Sequence, residues 1–86
     1  MQVDFTKEFN KQFAKLPRAK QLRAKDALAL YLDDPTAPAL RLHRLKGEWL
    51  SYRSISAGGD LRLHFRVISP DALLFVAIGT HSQLYK

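Results

Sequence analysis

The chain has 86 residues, of which 47% are hydrophobic and 26% charged, and it contains no cysteine. This length allows one small domain with a single core, residues 1–86, and the absence of thiols excludes a disulfide framework or a thiolate metal site. Because residues 1–5 lack the apolar core of a signal peptide and no apolar run approaches the roughly 20 residues that span a bilayer, we expect a cytoplasmic protein without a membrane partner.

Positive charge is the main compositional feature. Fourteen Lys and Arg residues against eight Asp and Glu residues give a net charge of +6, with a sequence pI near 10.0. Such a balance is typical of domains that bind polyanions, and nucleic acid is the first candidate. Charge alone does not distinguish this from a solubilising surface or from a surface that meets an acidic protein, so the positions of the charges must decide.

The first half of the chain predicts a short strand and two amphipathic helices. Gln2–Phe5 is the candidate strand, and Thr6 is placed to cap a helix that ends at Pro17. A second helix over residues 18–32 stops at the Asp-Asp-Pro sequence of 33–35. Helical spacing relates four apolar positions that run from the end of the candidate strand through the first helix, namely Phe5, Phe9, Phe13 and Leu16. We expect this stripe to be core rather than a ligand site, in an antiparallel helical hairpin.

The second half predicts an antiparallel sheet. Strands over 41–46 and 49–56 flank Gly47 and Glu48, either as two strands or as one strand with a bend. The Ala-Gly-Gly-Asp turn at 57–60 predicts a hairpin to the strand over 61–68, and the apolar run 72–78 predicts a buried central strand. The predicted fold is therefore α+β, an N-terminal helical hairpin packed on a small antiparallel sheet.

The strand over 61–68 has the cleanest period-two pattern in the chain. Arg62, His64 and Arg66 alternate with apolar residues and therefore share one face. Arginine suits phosphate because its planar fork donates two hydrogen bonds at any relevant pH. We expect the neighbouring strand to add Arg53 to this face, which favours a phosphate backbone as ligand, although a solvated strand face is the common alternative.

The three histidines are the candidates for proton transfer. His81 follows the predicted central strand on a rigid support, where an imidazole exchanges protons near neutral pH, or else it is an ordinary surface residue. His43 is equally natural as a structural residue. Asp60, in the hairpin turn, could orient a histidine or only shape the turn.

No metal-ligand spacing links His43, His64 and His81, so we expect no metal and no other cofactor. The sequence also has no Ser-His-Asp or Cys-His arrangement and no glycine-rich phosphate loop. Any catalysis is therefore expected to be acid-base chemistry on a phosphodiester.

Three stretches together resemble the RelE superfamily of bacterial toxins, and within it the YafQ-type mRNA interferases. They are residues 42–53 (Leu-His-Arg-Leu-Lys-Gly-Glu-Trp-Leu-Ser-Tyr-Arg), 60–63 (Asp-Leu-Arg-Leu) and 79–85 (Gly-Thr-His-Ser-Gln-Leu-Tyr). Each motif is weak alone, but their order and spacing are specific, and the similarity covers essentially the whole chain.

The resemblance implies a type II toxin that enters the ribosomal A site and cleaves mRNA without a metal. Its partners would be the ribosome, the mRNA and a cognate antitoxin, which we expect to carry an acidic segment. In that reaction the 2′-hydroxyl attacks the adjacent phosphate, so a base must take its proton and an acid must protonate the leaving 5′-oxygen. Positive charge must stabilise the phosphate.

The same resemblance assigns catalytic roles to matching residues. His81 would be the general acid, and His43 the general base or its support. Asp60 would orient a partner, Arg62 would hold the phosphate, and Tyr85 would stack on or position a base.

Four further residues are expected to bind RNA or phosphate. Arg53 would hold the reacting phosphate together with Arg62, and the others are Arg66, Lys46 and His64.

Three departures from the family pattern bear on catalysis. Ser56 stands where a second histidine is frequent, Leu61 where a tryptophan follows the turn aspartate, and Ala77 where an arginine is usual. Arg62 or Arg66, on the adjacent strand, could replace the lost phosphate contact. These three departures do not change the predicted fold. The resemblance does not, however, predict how fast this chain would cleave RNA.

Two other functions remain open at this level. The chain could be a ParE-like toxin that poisons DNA gyrase, although the two imidazoles near a basic face favour a nuclease. It could also be a catalytically weakened family member that acts mainly as an antitoxin-binding module.

Overall fold

The computed structural model describes residues 1–85, and its first half contains one strand and two helices. These are β1 (Gln2–Phe5), α1 (Lys7–Ala14) and α2 (Arg18–Asp33), followed by a 3-10 turn at Pro38–Leu40. The second half contains β2 (His43–Arg44), a 3-10 turn at Gly47–Trp49, β3 (Arg53–Ser56), β4 (Leu61–Ser69), β5 (Ala72–Thr80) and the short helix α3 (His81–Leu84).

The five strands form one sheet in the order β1-β5-β4-β3-β2. The apolar run predicted to be a central strand is β5, which lies between β1 and β4. β1 pairs with β5 in parallel, with Val3 opposite Leu73, whereas the other neighbours are antiparallel. The α+β class is confirmed, but the sheet is mixed rather than antiparallel. A parallel pair is possible here because β1 and β5 are separated by most of the chain and need no tight turn.

The expected N-terminal helical hairpin is not confirmed. β1 precedes them and joins the sheet, and α1 packs on β5 while α2 packs on β4. Thr6 caps α1 as predicted, because its hydroxyl accepts a hydrogen bond of 3.1 Å from the backbone N–H of Phe9. Each helix therefore packs on a different strand of the sheet.

The main core lies between these helices and one face of the sheet. Its centre is Phe65, whose ring is 5.0 Å from the ring of Phe75 and 5.1 Å from that of Tyr31. Of the predicted phenylalanine stripe, Phe9 is buried, Phe13 is partly buried, and Phe5 is 39% exposed. The stripe therefore belongs to the core only in part, because β1 lies at the edge of the sheet.

The connection between β2 and β3 differs most from the sequence expectation. Extended strands over 41–46 and 49–56 shorten to two and four residues, separated by the Gly47–Trp49 turn. Gly47 has φ 65° and Ser51 has φ 81°, and these left-handed conformations cannot continue an extended strand. Trp49 is consequently part of a loop that folds over the sheet.

The hairpin between β3 and β4 forms as predicted. Gly58 and Gly59 have φ 92° and 54°, values that glycine adopts without steric cost. Within residues 1–85, no helix has both the length and the apolar character required to cross a membrane.

Candidate active site

The face of β4 opposite the main core carries Arg62 and His64. The strand register places His64 between Ser54 of β3 and Ala77 of β5, and it places His43 of β2 opposite Ser54. A row across four strands therefore runs from His43 to Ala77. Arg62 lies in the next row, between Ser56 and Gly79.

His64 is fully buried, which corrects its predicted role as an exposed RNA-binding residue. The ring of Trp49 lies 4.6 Å away in an edge-to-face arrangement, and the ring of Tyr85 lies 5.3 Å away. The alternation predicted the correct face, but the Trp49 loop and the C-terminal segment cover that face. Neither ring nitrogen of His64 nor the hydroxyl of Ser54 has a hydrogen-bond partner among residues 1–85.

The environment keeps His64 uncharged. Burial, followed by the positive charges of His43 and His81, lowers the pKa of His64 to about 4. At neutral pH the ring is therefore neutral and cannot hold a phosphate as a cation. The strand register places His43 two strands away from His64, and the Tyr85 ring packs against both His64 and His81.

His81 begins α3 immediately after β5, and its side chain is exposed. Thr80 forms a capping box: its hydroxyl accepts from the Gln83 N–H at 3.2 Å, and the Gln83 side-chain oxygen accepts from the Thr80 N–H at 2.8 Å. The N–H of His81 donates to the backbone carbonyl of Asp60 at 3.2 Å. His81 and Asp60 are thus brought together through their backbones.

Gly79 permits α3 to fold back over the sheet. A Cβ atom at this position would lie 2.8 Å from the side-chain oxygen of Gln83, closer than real contacts allow. The small residues Ala77 and Gly79 therefore leave room on this face for the C-terminal segment that carries His81 and Tyr85.

Tyr85 connects His81 with His64. Its ring lies 4.4 Å from that of His81 and 5.3 Å from that of His64. Burial raises the pKa of the Tyr85 phenol, and the Arg62 charge and the Ser54 hydroxyl oppose the rise. The Ser54 oxygen faces the phenol without forming a hydrogen bond of good geometry.

Arg62 is held at the edge of this cluster. Its Nη1 donates to the hydroxyl of Ser56 at 3.2 Å and to the carbonyls of Gly59 and Leu61 at 2.9 and 3.1 Å. Ser56, one of the departures from the family pattern, therefore serves as a partner for the guanidinium. Arg62 shares its strand face with His64, and its positive charge acts on the phenol of Tyr85.

His43 is exposed on the other side of the row. Its Nδ1 lies 2.9 Å from the carbonyl oxygen of Arg41, so in the neutral ring Nδ1 carries the proton and Nε2 is the acceptor. Three strand spacings of about 4.8 Å separate β2 from β5, roughly 14 Å between backbones. His43 and His81 therefore approach the cluster from opposite sides.

The prediction that Arg53 shares the Arg62 face is wrong. Arg53 lies opposite Phe65 and Arg44 in the register, and directly opposed residues share a face. Arg53 is therefore on the helix-covered side, where it and Arg44 line a cavity of about 270 Å³.

The remaining predicted RNA-binding residues lie at the periphery. Arg66 is exposed on the same face as Arg62, with its guanidinium carbon 5.6 Å from the centre of the Tyr52 ring. Lys46 is exposed and precedes the Gly47–Trp49 turn. Among residues 1–85, no group of three His, Cys, Asp or Glu side chains is close enough to hold a metal ion.

Three residues of this site were not predicted from the sequence. Trp49 and Tyr52 belong to the family motif but received no role from it, and Ser54 lies outside the motif. The alternation of Tyr52, Ser54 and Ser56 was the available signal, since it places all three on one face. Trp49 lies in an irregular loop, where no periodicity indicates which way its side chain points.

The five-strand mixed sheet with its helices is similar to the folds of solved bacterial toxins. E. coli YafQ has a TM-score of 0.81 and 21% identity, with 98% of this chain and 97% of that chain covered. A YoeB/ParE toxin from Agrobacterium tumefaciens has a TM-score of 0.77 and 18% identity, with 94% and 99% covered. A conserved hypothetical protein from Helicobacter pylori has a TM-score of 0.71 and 29% identity, with 98% of each chain covered.

The family model described as "Bacterial toxin of type II toxin-antitoxin system, YafQ" matches residues 1–86. The chain therefore belongs to the YafQ family of type II toxins, which confirms the family predicted from the sequence motifs. No curated protein sequence matches the chain significantly.

Proposed function

We propose that this toxin is a ribosome-dependent endoribonuclease that cleaves mRNA by metal-independent acid-base chemistry and so inhibits translation. The observation that carries the proposal is the gathering of His43, His81, Arg62 and Tyr85 around one buried imidazole. These groups supply two proton-transfer sites, one fixed cation and one aromatic surface, which together meet the requirements of phosphodiester cleavage by an internal hydroxyl.

In the proposed reaction, Nε2 of His43 takes the proton of the 2′-hydroxyl. The oxygen attacks the adjacent phosphorus, and the bond to the 5′-oxygen breaks as His81 donates its proton to that oxygen. The products are a 2′,3′-cyclic phosphate and a free 5′-hydroxyl, so atoms and charge balance. Arg62 stabilises the negative charge that builds on the phosphate.

The other predicted residues have supporting roles in this scheme. Tyr85 offers a ring face for a nucleobase, and the Asp60 carbonyl anchors the start of α3 through the N–H of His81. Arg66 and Lys46 are exposed cations for the RNA backbone away from the reacting phosphate. Arg53 is no longer assigned to that phosphate, because it lies on the opposite side of the sheet.

The proposed partners follow from the family and from the charge. A solved E. coli structure is a DinJ-YafQ toxin-antitoxin complex, with a TM-score of 0.77 and 21% identity to this chain. We propose a cognate antitoxin for this chain too, with an acidic segment that complements the net charge of +6. The ribosome and its mRNA would be the targets when the antitoxin is absent.

The decisive experiment is primer extension on a translated message after induced expression. Wild type should produce ribosome-dependent cuts, and His81→Ala should reduce them by at least about 100-fold, the usual contribution of a general acid. Because His81 is exposed, the variant should remain folded, and Ser82→Ala is the neighbouring control. Full cleavage by a folded His81→Ala variant would remove His81 from the mechanism.

A matched arginine pair tests the assignment of the phosphate-binding group. Arg62→Gln is expected to lower cleavage about 100-fold, as for loss of one transition-state donor, whereas Arg53→Gln should stay close to wild type. Equal losses of cleavage in both variants would show that cleavage depends on the total positive charge and not on the position of Arg62. Gyrase inhibition with intact mRNA would favour a ParE-like poison, and tight antitoxin binding without growth arrest would indicate a binding module.

A further inference from the structure

Four aromatic rings lie in contact across the site, in the order Trp49, His64, Tyr85 and His81. His64 is therefore an inner member of this series. Trp49 packs against His64 at 4.6 Å with an interplanar angle of 80°, and Tyr85 packs against His64 at 5.3 Å and 59°. Tyr85 in turn packs against His81 at 4.4 Å and 36°. The ring of His81 is thus linked to the buried part of the molecule through Tyr85.

His81 has little other support. Its side chain is exposed. The capping box is formed by Thr80 and Gln83, so it holds the backbone at the start of α3 and does not involve the His81 ring. The only ring that packs against it in the described part of the chain is Tyr85.

His64 is an unusual residue for a purely structural position. Both ring nitrogens are buried without a partner in the described part of the chain, which costs stability relative to an apolar side chain of similar size. What an imidazole offers here is a flat ring, which gives directional edge and face contacts to Trp49 and Tyr85. An aliphatic side chain would fill the same space without fixing the angle of either ring.

We propose that His64 is a positioning residue: its planar ring fixes the orientation of Tyr85 and, through Tyr85, the ring of His81. Its lowered pKa is compatible with this role, because a neutral ring adds no charge that would repel the proton on His81. The kinetic consequence rests on the proposed ribonuclease function, whereas the orientation of the His81 ring does not.

Two apolar substitutions separate planarity from simple filling of space. His64→Phe retains a flat ring, and His64→Leu retains apolar volume without one; both remove the unpartnered nitrogens and should be at least as stable as wild type. Cleavage by His64→Phe is expected to be near that of wild type. His64→Leu should lower kcat roughly tenfold with little change in KM, as when a catalytic group loses its alignment.

A spectroscopic measurement gives a second result without any cleavage. In proton NMR spectra, the ring protons of His81 feel the ring current of Tyr85, so their chemical shifts report the angle between the two rings. These shifts should change in His64→Leu and stay near wild type in His64→Phe. Leu and Phe variants that agree in both kcat and these shifts would overturn the proposal.

The two proposals fail in different ways. If the wild-type protein does not cleave RNA but the His81 shifts still distinguish the Leu variant from the Phe variant, only the ribonuclease function is lost. If wild type cleaves and His64→Leu cleaves equally well, only the positioning role is lost.

Discussion

His64 and Phe65 are neighbours on one strand, and both are fully buried, yet they lie in very different environments. Phe65 packs against Phe75 and Tyr31 beneath a 16-residue helix. His64 packs against Trp49 and Tyr85, which belong to a short turn and to the end of a four-residue helix. Burial by itself therefore does not distinguish a residue of the structural core from a residue beneath the candidate active site.

The difference lies in what covers each face of the sheet. The covering helices on the core side bury a continuous apolar cluster around the sheet. Within residues 1–85, the covering segments on the other side leave three buried polar atoms without partners, on Ser54 and His64. Since unpaired buried polar groups cost free energy, the second face is built for something other than maximum stability.

The largest effect is expected from truncation on the core face. Phe65→Ala should lower the free energy of unfolding by about 3–5 kcal/mol, because it leaves a cavity among packed aromatic rings. His64→Leu, at the adjacent buried position, should not lower it at all. Urea unfolding followed by circular dichroism gives both values, and a loss of several kcal/mol in His64→Leu would contradict the distinction between the two faces.

A smaller effect is expected from acid. Burial lowers the folded-state pKa of His64 to about 4, below the ordinary histidine value of 6.5. Between these values the unfolded chain binds a proton that the folded protein does not, so stability falls as the pH falls through this window. Above pH 6.5 the His64 contribution is constant, and below about pH 4 its loss is complete, at about 3 kcal/mol.

The matched control for this pH effect is His64→Leu, which lacks the titrating group. The difference between the unfolding free energies of the two proteins should grow as the pH is lowered from 7 to 4.5. Parallel curves for both proteins would show that His64 is more accessible to water than its burial indicates.

The smallest effect is expected at the cover of the site face. Thr80→Ala removes the side-chain half of the capping box and should cost about 1 kcal/mol. Thr80→Ser keeps the hydroxyl and should recover most of the loss in a thermal melt. Because α3 carries the segment over His64, Thr80→Ala should also weaken growth arrest; an arrest as strong as wild type would show that the α3 cap is not needed to hold His81.

Much of the fold followed from local patterns. Thr6 begins α1, Pro17 separates the two helices, the two glycines at 58 and 59 form the hairpin turn, and the run from residue 72 forms the central strand. Each of these signals depends on residues close in sequence. The parallel pairing of β1 with β5 was not predicted, because it joins segments at opposite ends of the chain.

The candidate site was predicted less completely. The motifs selected His81, Asp60, Arg62 and Tyr85, and the structure brings them to one end of the sheet. Arg53 was assigned to the wrong face, because its direction depends on its register with β4 rather than on any local pattern.

The sequence by itself determined the family, the identities of the strands and the face of β4 on which His64 lies, since period-two alternation is a property of the local backbone. Only the tertiary structure decided that this face is covered, that His64 is neutral, and that Arg62 rather than Arg53 lies beside the histidines. These features depend on contacts between distant segments, above all the Trp49 loop and the end of α3, and no local periodicity encodes such contacts.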